Sequence, residues 1–313
     1  MNAHNLIHIG LPKTGTTSLQ NGWLGNDNVT LSNDGLGSLV EIIRQAIRDD
    51  LWYEQIPPIP KPEWDKVVAT SQVNIWSSEG LSSWLWNNAA AQEQISKCRW
   101  YMADSMAKVV SEATVLIVVR SPQAWCKSIY KQLIQEGGFV SPEEFIQQES
   151  GYLSGTLDIR ELYEVWAEYF GRENVLIAPF EWIKSDLVKL NSKVCQSMNL
   201  CDKTNLFKGV QQANKSITDK EVRFLADLSR QLTQLEIRAE ICPASFTKAK
   251  QDLLTALRLE LQTAHQISNF VDKQVPEINL QLQLNDAMKK HIQQNFIEFL
   301  HDYNHEWFGH YHL

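Results

Sequence analysis

Short apolar runs alternate with amphipathic stretches over the first two-thirds of the chain. Runs that lack polar alternation and are rich in β-branched residues are typical of strands buried in a parallel sheet. They predict strands over residues 6–10, 73–76, 114–119 and 175–178. Apolar residues at helical spacing predict helices over 16–24, 38–50, 88–110, 122–135, 157–170 and 185–198. Strands that alternate with helices indicate an α/β fold, a central parallel sheet flanked by helices.

The last third of the chain differs because no strand-like run follows residue 215. Helical periodicity there predicts helices over 218–240, 244–266 and 284–306. Capping boxes are expected at two helix starts, Ser141 with Glu144 and Thr218 with Glu221. Because no low-complexity linker or internal repeat divides the sequence, we predict one domain over 1–313. Its residues 215–313 would form a mainly helical C-terminal subregion.

Charge and cysteine content narrow the class of protein. The 313 residues include 29 Lys and Arg against 37 Asp and Glu, a formal net charge of −8. This charge argues against nucleic acid and anionic membrane surfaces as partners, since both favour basic proteins. No apolar run approaches the roughly 20 residues of a membrane span, and no signal peptide is evident. Five cysteines without a CxxC pair are expected to be free thiols. We therefore expect a cytoplasmic protein.

The loop after the first predicted strand has the composition of an anion-binding site. It runs from Gly10 to Ser18 between a strand and a helix, where backbone N–H groups and a helix N-terminus attract phosphate. Lys13 adds a positive charge, and hydroxyl side chains follow in the first helical turn. The alternative is purely local, with Gly15 making a turn and Thr16 capping a helix.

A second candidate anion site follows the most apolar strand. Arg120 comes directly after residues 114–119, at the end of a parallel strand that faces the ligand crevice in such sheets. Ser128 lies about two helical turns beyond Ser121. An arginine fork with a hydroxyl suits a phosphate monoester. The alternative is a strand-end arginine near an unrelated surface serine.

These two motifs, in this order, resemble those of the sulfotransferases that use 3′-phosphoadenosine 5′-phosphosulfate (PAPS). Residues 12–17 resemble their 5′-phosphosulfate-binding loop, and Arg120 with Ser128 resembles their 3′-phosphate-binding motif. The resemblance implies a P-loop NTPase-like sulfotransferase fold, with PAPS as donor, adenosine 3′,5′-bisphosphate (PAP) as product and no metal. The residues implied to bind the donor are Pro12, Lys13, Thr14, Gly15, Thr16, Thr17, Ser18, Arg120 and Ser128.

Two weaker likenesses extend this resemblance. Residues 175–183 resemble the family's strand and aromatic–Glu–x–aliphatic segment, in which Glu181 is expected to be structural. Residues 213–218 resemble a stretch that lies near the nucleotide in many bacterial members, with Ile217 and Thr218 substituted. That likeness implies donor contacts from Asn214, Lys215 and Ser216.

Two other classes of protein remain open. A P-loop kinase or NTPase is the main alternative, because Gly10 and Gly15 have the Walker A spacing. However, Lys13 precedes the second glycine instead of following it, and the 114–119 strand is not followed by a Walker B aspartate. A non-catalytic nucleotide-binding protein is the third possibility, and the intact Lys13, Arg120 and Ser128 argue against it.

The sequence also suggests how catalysis would occur. Sulfuryl transfer needs positioning, charge stabilisation and a base for the acceptor proton. Lys13 would stabilise charge on the leaving phosphate, and Glu79, directly after a predicted strand, is the candidate base. The alternative for Glu79 is a structural hydrogen bond to the loop or to Lys13. His8 is expected to pack in the core, and the His301–His305 pair is expected to lie on a helix face without metal.

The acceptor is constrained mainly by local charge. Residues 71–96 carry no Lys or Arg and two Glu, so a polyanionic acceptor is disfavoured. We expect a small, neutral or cationic acceptor that reacts through a hydroxyl or an amine. Tryptophans concentrate in this part of the chain and would either pack in the core or line an aromatic acceptor pocket. They are Trp52, Trp76, Trp84, Trp86 and Trp100.

Overall fold

The computed structural model describes residues 4–32, 36–51, 73–82, 92–110, 112–200, 204–208, 216–238, 243–263 and 265–313. The chain divides into two compact units. The first comprises Met1–Pro122, Glu149–Ala213 and Asp286–Leu313, and the second comprises Gln123–Gln148 and Asn214–Asn285. The single domain over 1–313 stays a prediction.

Strands and helices follow the predicted alternation. The strands are β1 (His4–His8), β2 (Val29–Leu31), β3 (Val73–Ser77), β4 (Thr114–Val119) and β5 (Val175–Pro179). The helices up to residue 200 are α1 (Thr16–Trp23), α2 (Leu36–Arg48), α3 (Gln92–Val109), α4 (Pro122–Gln135), α5 (Pro142–Gln148), α6 (Ser150–Thr156), α7 (Ile159–Phe170), α8 (Glu181–Ser185) and α9 (Leu187–Ser197). Those that follow are α10 (Asp219–Arg238), α11 (Pro243–Thr263), α12 (His265–Gln274), α13 (Asp286–Ile292) and α14 (Phe299–Phe308).

The first unit is built on a parallel sheet with the strand order β2-β3-β1-β4-β5. In the pairing register, Leu6 of β1 lies opposite Ile75 of β3 on one side and Thr114 of β4 on the other. The carboxyl ends of β1, β3 and β4 therefore meet at one edge of the sheet. From β1 the chain adds β3 and β2 on one side and β4 and β5 on the other, so the strand order reverses at β1. Open α/β sheets bind ligands at the carboxyl ends of the strands beside such a reversal. The predicted α/β class with a central parallel sheet is confirmed.

Apolar continuity explains why the central strands form. All six residues of β4 are buried, and Leu6 and Ile7 of β1 are fully buried. Helices α1 and α9 pack against the sheet through Leu19, Trp23 and other residues of the same hydrophobic cluster. Burying a large aliphatic side chain stabilises a fold by about 1.5–3 kcal/mol, so this cluster fixes the sheet on which the β1–α1 loop is mounted.

A buried arginine supports the turn after β3. Arg99 of α3 is fully buried, and its guanidinium donates to the carbonyl oxygens of Ser82, Thr156 and Asp158 at 2.8–2.9 Å. It also donates to Oε2 of Glu161 at 2.9 Å. Four of the five guanidinium N–H donors are therefore paired, as burial requires, because an unpaired buried charge is strongly destabilising.

The second unit is helical where it is described, with no strand assigned in those residues. Within this unit, Asp219 at the start of α10 forms ion pairs with two lysines of α4. The Asp219 carboxylate lies 2.7 Å from Nζ of Lys127 and 3.0 Å from Nζ of Lys131. The same carboxylate accepts the backbone N–H of Leu280 at 2.9 Å. These bonds lower the pKa of Asp219 even though burial opposes the shift. The pair of lysines thus anchors α4 to α10.

Both predicted capping boxes are confirmed. The backbone N–H of Ser141 donates to the Glu144 carboxylate, and the N–H of Glu144 donates back to Oγ of Ser141. Thr218 and Glu221 make the same reciprocal pair at the start of α10. Each pair satisfies backbone donors that a helix leaves unpaired at its first turn.

Two features of the first unit were not predicted or were left open. The short strand β2 was missed, because Val29–Leu31 is too brief for a periodic signal. Trp76 is buried in β3 and Trp100 is partly exposed on α3, whereas the other three tryptophans of that stretch lie outside the described residues. None of the helices in the described ranges combines the length and apolar character that crossing a membrane requires.

Candidate active site

The β1–α1 loop has a backbone suited to anion binding. Lys13 and Gly15 both adopt a positive φ, of 65° and 83°. A Cβ at Gly15 would lie 3.0 Å from Cε2 of Phe180, so this position requires glycine for both conformation and space. The N-cap of α1, which begins at Thr16, is Gly15, a residue without a side chain to cap the first turn. The helix N-terminus therefore presents its backbone donors to a ligand.

The side chains of the loop divide into internal and outward groups. Oγ1 of Thr14 donates to the carbonyl of Leu11 at 2.5 Å, which closes the loop on itself. Pro12 and Thr16 are buried, whereas Thr17 is exposed and Ser18 is half-buried. Thr14 therefore shapes the loop from inside, and Thr17 is the residue of the first turn of α1 that faces solvent.

Glu79 is held against this loop by the turn after β3. The turn begins with Ser78, whose Oγ accepts the N–H of Gly80 at 3.2 Å, and whose own N–H donates to the His8 carbonyl. Oγ of Ser82 donates to the carbonyl of Gly10 at 3.0 Å, which joins the turn directly to the loop. The structure thus brings Glu79 to the loop, where the sequence placed it.

Burial raises the pKa of Glu79 above its ordinary value. The neighbouring Thr16 hydroxyl and the positive charge and backbone N–H of Lys13 oppose that rise. The contact with Lys13 does not distinguish the two roles considered for Glu79, because a general base and a structural hydrogen-bond acceptor would each face Lys13. A raised pKa, near a cavity, adds to the case for proton transfer.

A cavity of about 400 Å³ opens beside Glu79 in the first unit. Helix α2 contributes Arg44, a cation that lies outside residues 71–96 and so outside the charge balance predicted from that stretch. Arg44 is 4% exposed, and its Nη2 would lie 3.2 Å from a Cβ at Gly80. The cavity is lined by Thr16, Thr17, Gln20, Gly37, Val40, Glu41, Arg44, Ser77, Ser78, Glu79 and Gly80.

Arg120 lies at the end of β4, as predicted, and is linked to the loop through an aromatic ring. Its guanidinium carbon is 4.9 Å from the centroid of the Phe180 ring, and the same ring lies against Gly15. Within the described ranges, the guanidinium forms no salt bridge or hydrogen bond. Arg120 is half-buried. A cation in this position can pair with an anionic ligand.

His8 is part of the core behind the loop, as predicted. It is fully buried, its Nδ1 lies 2.8 Å from Oγ of Ser77, and Gln20 donates to the same Oγ at 3.1 Å. Burial lowers the pKa of His8 to about 3, so the imidazole is neutral. His8 therefore positions the end of β3 and is a poor candidate for the base.

The remaining predicted site residues are not tested by this geometry. Ser128 lies half-buried on α4 in the second unit, and Ser216 is exposed before α10. Asn214 and Lys215 lie outside the described residues. Their roles as donor ligands stay predictions. Among the residues that the structure describes, no three His, Cys, Asp or Glu side chains form a metal-binding group.

A family model described as a sulfotransferase domain matches residues 5–199. This match covers more than half of the chain and includes the β1–α1 loop, Glu79 and Arg120. The chain therefore belongs to the sulfotransferase domain family. No curated protein sequence matches it.

Similar solved structures are also sulfotransferases. One is the sulfotransferase from Alicyclobacillus acidocaldarius, at 13% identity and a TM-score of 0.47, which covers 79% of this chain and 100% of that chain. A second is mouse sulfotransferase SULT7A1 complexed with PAP, at 14% identity and 0.30, which covers 72% and 64%. A third is the sulfotransferase domain from the curacin biosynthetic pathway, at 13% identity and 0.38, which covers 73% and 90%. Membership of the family rests on the domain match.

Proposed function

We propose that the protein is a PAPS-dependent sulfotransferase that transfers a sulfuryl group to a hydroxyl or amine of a small acceptor. One observation carries the proposal: the Glu79 carboxyl lies against the Lys13 loop and also lines the 400 Å³ cavity. A candidate base, an anion-binding loop and space for an acceptor therefore share one site within the first unit.

The residues of the loop fit an anionic donor. Backbone N–H groups at the start of α1 and the Lys13 side chain would hold the 5′-phosphosulfate, because the N-cap residue of this helix, Gly15, has no side chain to cap it. Arg120 would hold the 3′-phosphate, since its guanidinium lies beside the loop and is not engaged by a described carboxylate. Ser128 and residues 214–216 remain proposed contacts of the same donor.

The chemistry assigns one role to each catalytic residue. The bond between sulfur and the leaving phosphate oxygen breaks as the acceptor oxygen or nitrogen bonds to sulfur. Lys13 offsets the negative charge that develops on the leaving oxygen, as cations do in phosphoryl transfer. The acceptor proton passes to the Glu79 carboxylate, whose raised pKa suits a general base.

The cavity supports a small acceptor. A volume of about 400 Å³ lies within the usual range for small-molecule sites. Its charged lining residues are Glu41, Arg44 and Glu79, so acidic side chains outnumber basic ones. This balance supports a neutral or cationic acceptor over a polyanion. Cytoplasmic location is part of the same proposal.

A thermal-shift panel tests donor binding first. PAP without metal is expected to stabilise the protein, because ligand binding to the folded state raises its melting temperature. ATP with Mg²⁺ is expected to stabilise it much less. The reverse order would refute the proposal and favour a P-loop kinase or NTPase. Lys13→Ala should remove most of the PAP effect, and Lys97→Ala on the exposed face of α3 should retain it.

Turnover tests the base. PAPS is offered with a panel of small alcohols, phenols and amines, and the sulfated product is detected by mass spectrometry. Once an acceptor is found, Glu79→Gln should lower kcat by about 100-fold or more, the usual contribution of a general base. In the wild type, kcat/KM should fall as the pH drops through the raised pKa of Glu79. Full activity in Glu79→Gln would leave this residue a structural role only.

A further inference from the structure

The hydroxyl of Tyr311 connects two groups at the end of β4. It lies 2.5 Å from Oε2 of Glu181 and 3.2 Å from the carbonyl oxygen of Val119, the residue before Arg120. The Val119 carbonyl also accepts the N–H of Phe180 at 2.7 Å. Tyr311 is 1% exposed. The segment after α14 is thus joined to the strand end that carries Arg120 and to the start of α8.

The Tyr311 hydroxyl acts as a donor to Glu181. Burial and the neighbouring Glu181 carboxylate raise the pKa of Tyr311 far above its ordinary value, so the hydroxyl stays protonated. A separation of 2.5 Å is typical of a hydroxyl that donates to a carboxylate. A hydroxyl has one proton to donate. The Tyr311 hydroxyl therefore donates to Glu181, the nearer acceptor, in preference to the Val119 carbonyl.

Glu181 is close to Arg120 but does not pair with it. Burial lowers the pKa of Arg120, and the Glu181 carboxylate opposes that shift, so its charge acts on the guanidinium. Even so, no salt bridge joins the two residues, and the guanidinium lies over the Phe180 ring instead. The carboxylate that could neutralise Arg120 is held by Tyr311.

We propose that Tyr311 is a positioning residue that keeps the Glu181 carboxylate off Arg120 and so leaves the guanidinium for the 3′-phosphate of the donor. The inference rests on the proposed function, because it assumes that Arg120 binds this phosphate. A carboxylate and a phosphate compete for one guanidinium, since both bind its fork of N–H donors. Without the Tyr311 hydroxyl, Glu181 can turn to Arg120, and the phosphate must displace it.

Isothermal titration calorimetry with PAP and with adenosine 5′-phosphate, which lacks the 3′-phosphate, tests this role. Tyr311→Phe should weaken PAP binding about tenfold and adenosine 5′-phosphate binding by less than about twofold, as expected for competition at one charged hydrogen-bonding site. Adding Glu181→Gln to Tyr311→Phe should restore most of the PAP affinity, because the competing charge is gone. Tyr303→Phe is the matched control, since the Tyr303 hydroxyl bonds to the backbone of β5 instead.

Several results would overturn the inference. An unchanged PAP affinity in Tyr311→Phe would show that the hydroxyl has no role in binding. An equal loss for both ligands, or no recovery in the double variant, would indicate that Tyr311 acts through packing. If Tyr311→Phe fails to fold, Glu181→Gln alone decides, because its PAP affinity should equal or exceed that of the wild type and a loss would refute the inference. A wild-type protein that does not bind PAP would refute the proposed function itself, a separate outcome.

Discussion

Replacing Arg99 with methionine should be among the most destabilising changes in the first unit. The guanidinium makes four hydrogen bonds within 2.9 Å, three to backbone carbonyls and one to Glu161. Glu161 is half-buried, so the main cost is that of the three buried carbonyls left without a donor, about 1–3 kcal/mol each. Methionine recovers part of it by apolar burial. We therefore expect Arg99→Met to lower the free energy of unfolding by about 4 kcal/mol.

Urea unfolding monitored by tryptophan fluorescence measures this loss. Arg160→Met on the neighbouring α7 is the control, because exposed Arg160 makes one hydrogen bond, to the Gln294 carbonyl, and should cost less than about 1 kcal/mol. Arg99→Lys should fall between the two, since an ammonium cannot reproduce the planar fork of donors. A loss in Arg99→Met no larger than that in Arg160→Met would show that the hydrogen bonds do not carry the stability assigned to them.

Two further predictions concern the loop and the candidate base. Gly15→Ala should destabilise the fold and weaken PAP binding, because the new Cβ meets Phe180. Gly25→Ala is the control, since Gly25 has a φ of 72° and open space around it, and it should show only the backbone cost of about 1–2 kcal/mol. Equal losses in the two variants would contradict this account. Burial raises the folded-state pKa of Glu79, so stability is lost as the pH rises from the unfolded-state pKa through the folded one. Glu79→Gln should therefore be more stable than the wild type at pH 8 and similar near pH 4 in thermal melts, and the same difference at both pH values would refute the raised pKa.

The sequence predicts the sheet well because its central strands need no polar partner. Apart from Thr114, residues 114–119 are apolar, and all six are buried in the structure. A short apolar run of this kind is typical of a strand covered on both faces of a parallel sheet. Helix starts were predicted equally well where a capping box marks them, as at Ser141 and Thr218. β2 was missed because a strand of three residues carries no period and forms by pairing with β3.

The candidate site was predictable where one loop carries it and not where distant segments meet. Lys13 and Gly15 lie in a single stretch between strand and helix, and Glu79 follows the adjacent strand. In contrast, Arg44 enters the cavity from α2, and Tyr311 reaches the end of β4 from 192 residues away. No periodicity or spacing in the sequence relates such positions, because only the packing of the first unit brings them together.

The chemistry of the base bears on the two kinds of acceptor that we propose, a hydroxyl and an amine. Glu79 lines the cavity and must be ionised to accept a proton. A protonated amine would pair with Glu79 electrostatically, but it has no lone pair with which to attack sulfur until it has lost its proton. A neutral hydroxyl avoids this extra deprotonation. We therefore propose a neutral hydroxyl as the preferred acceptor over a cationic amine.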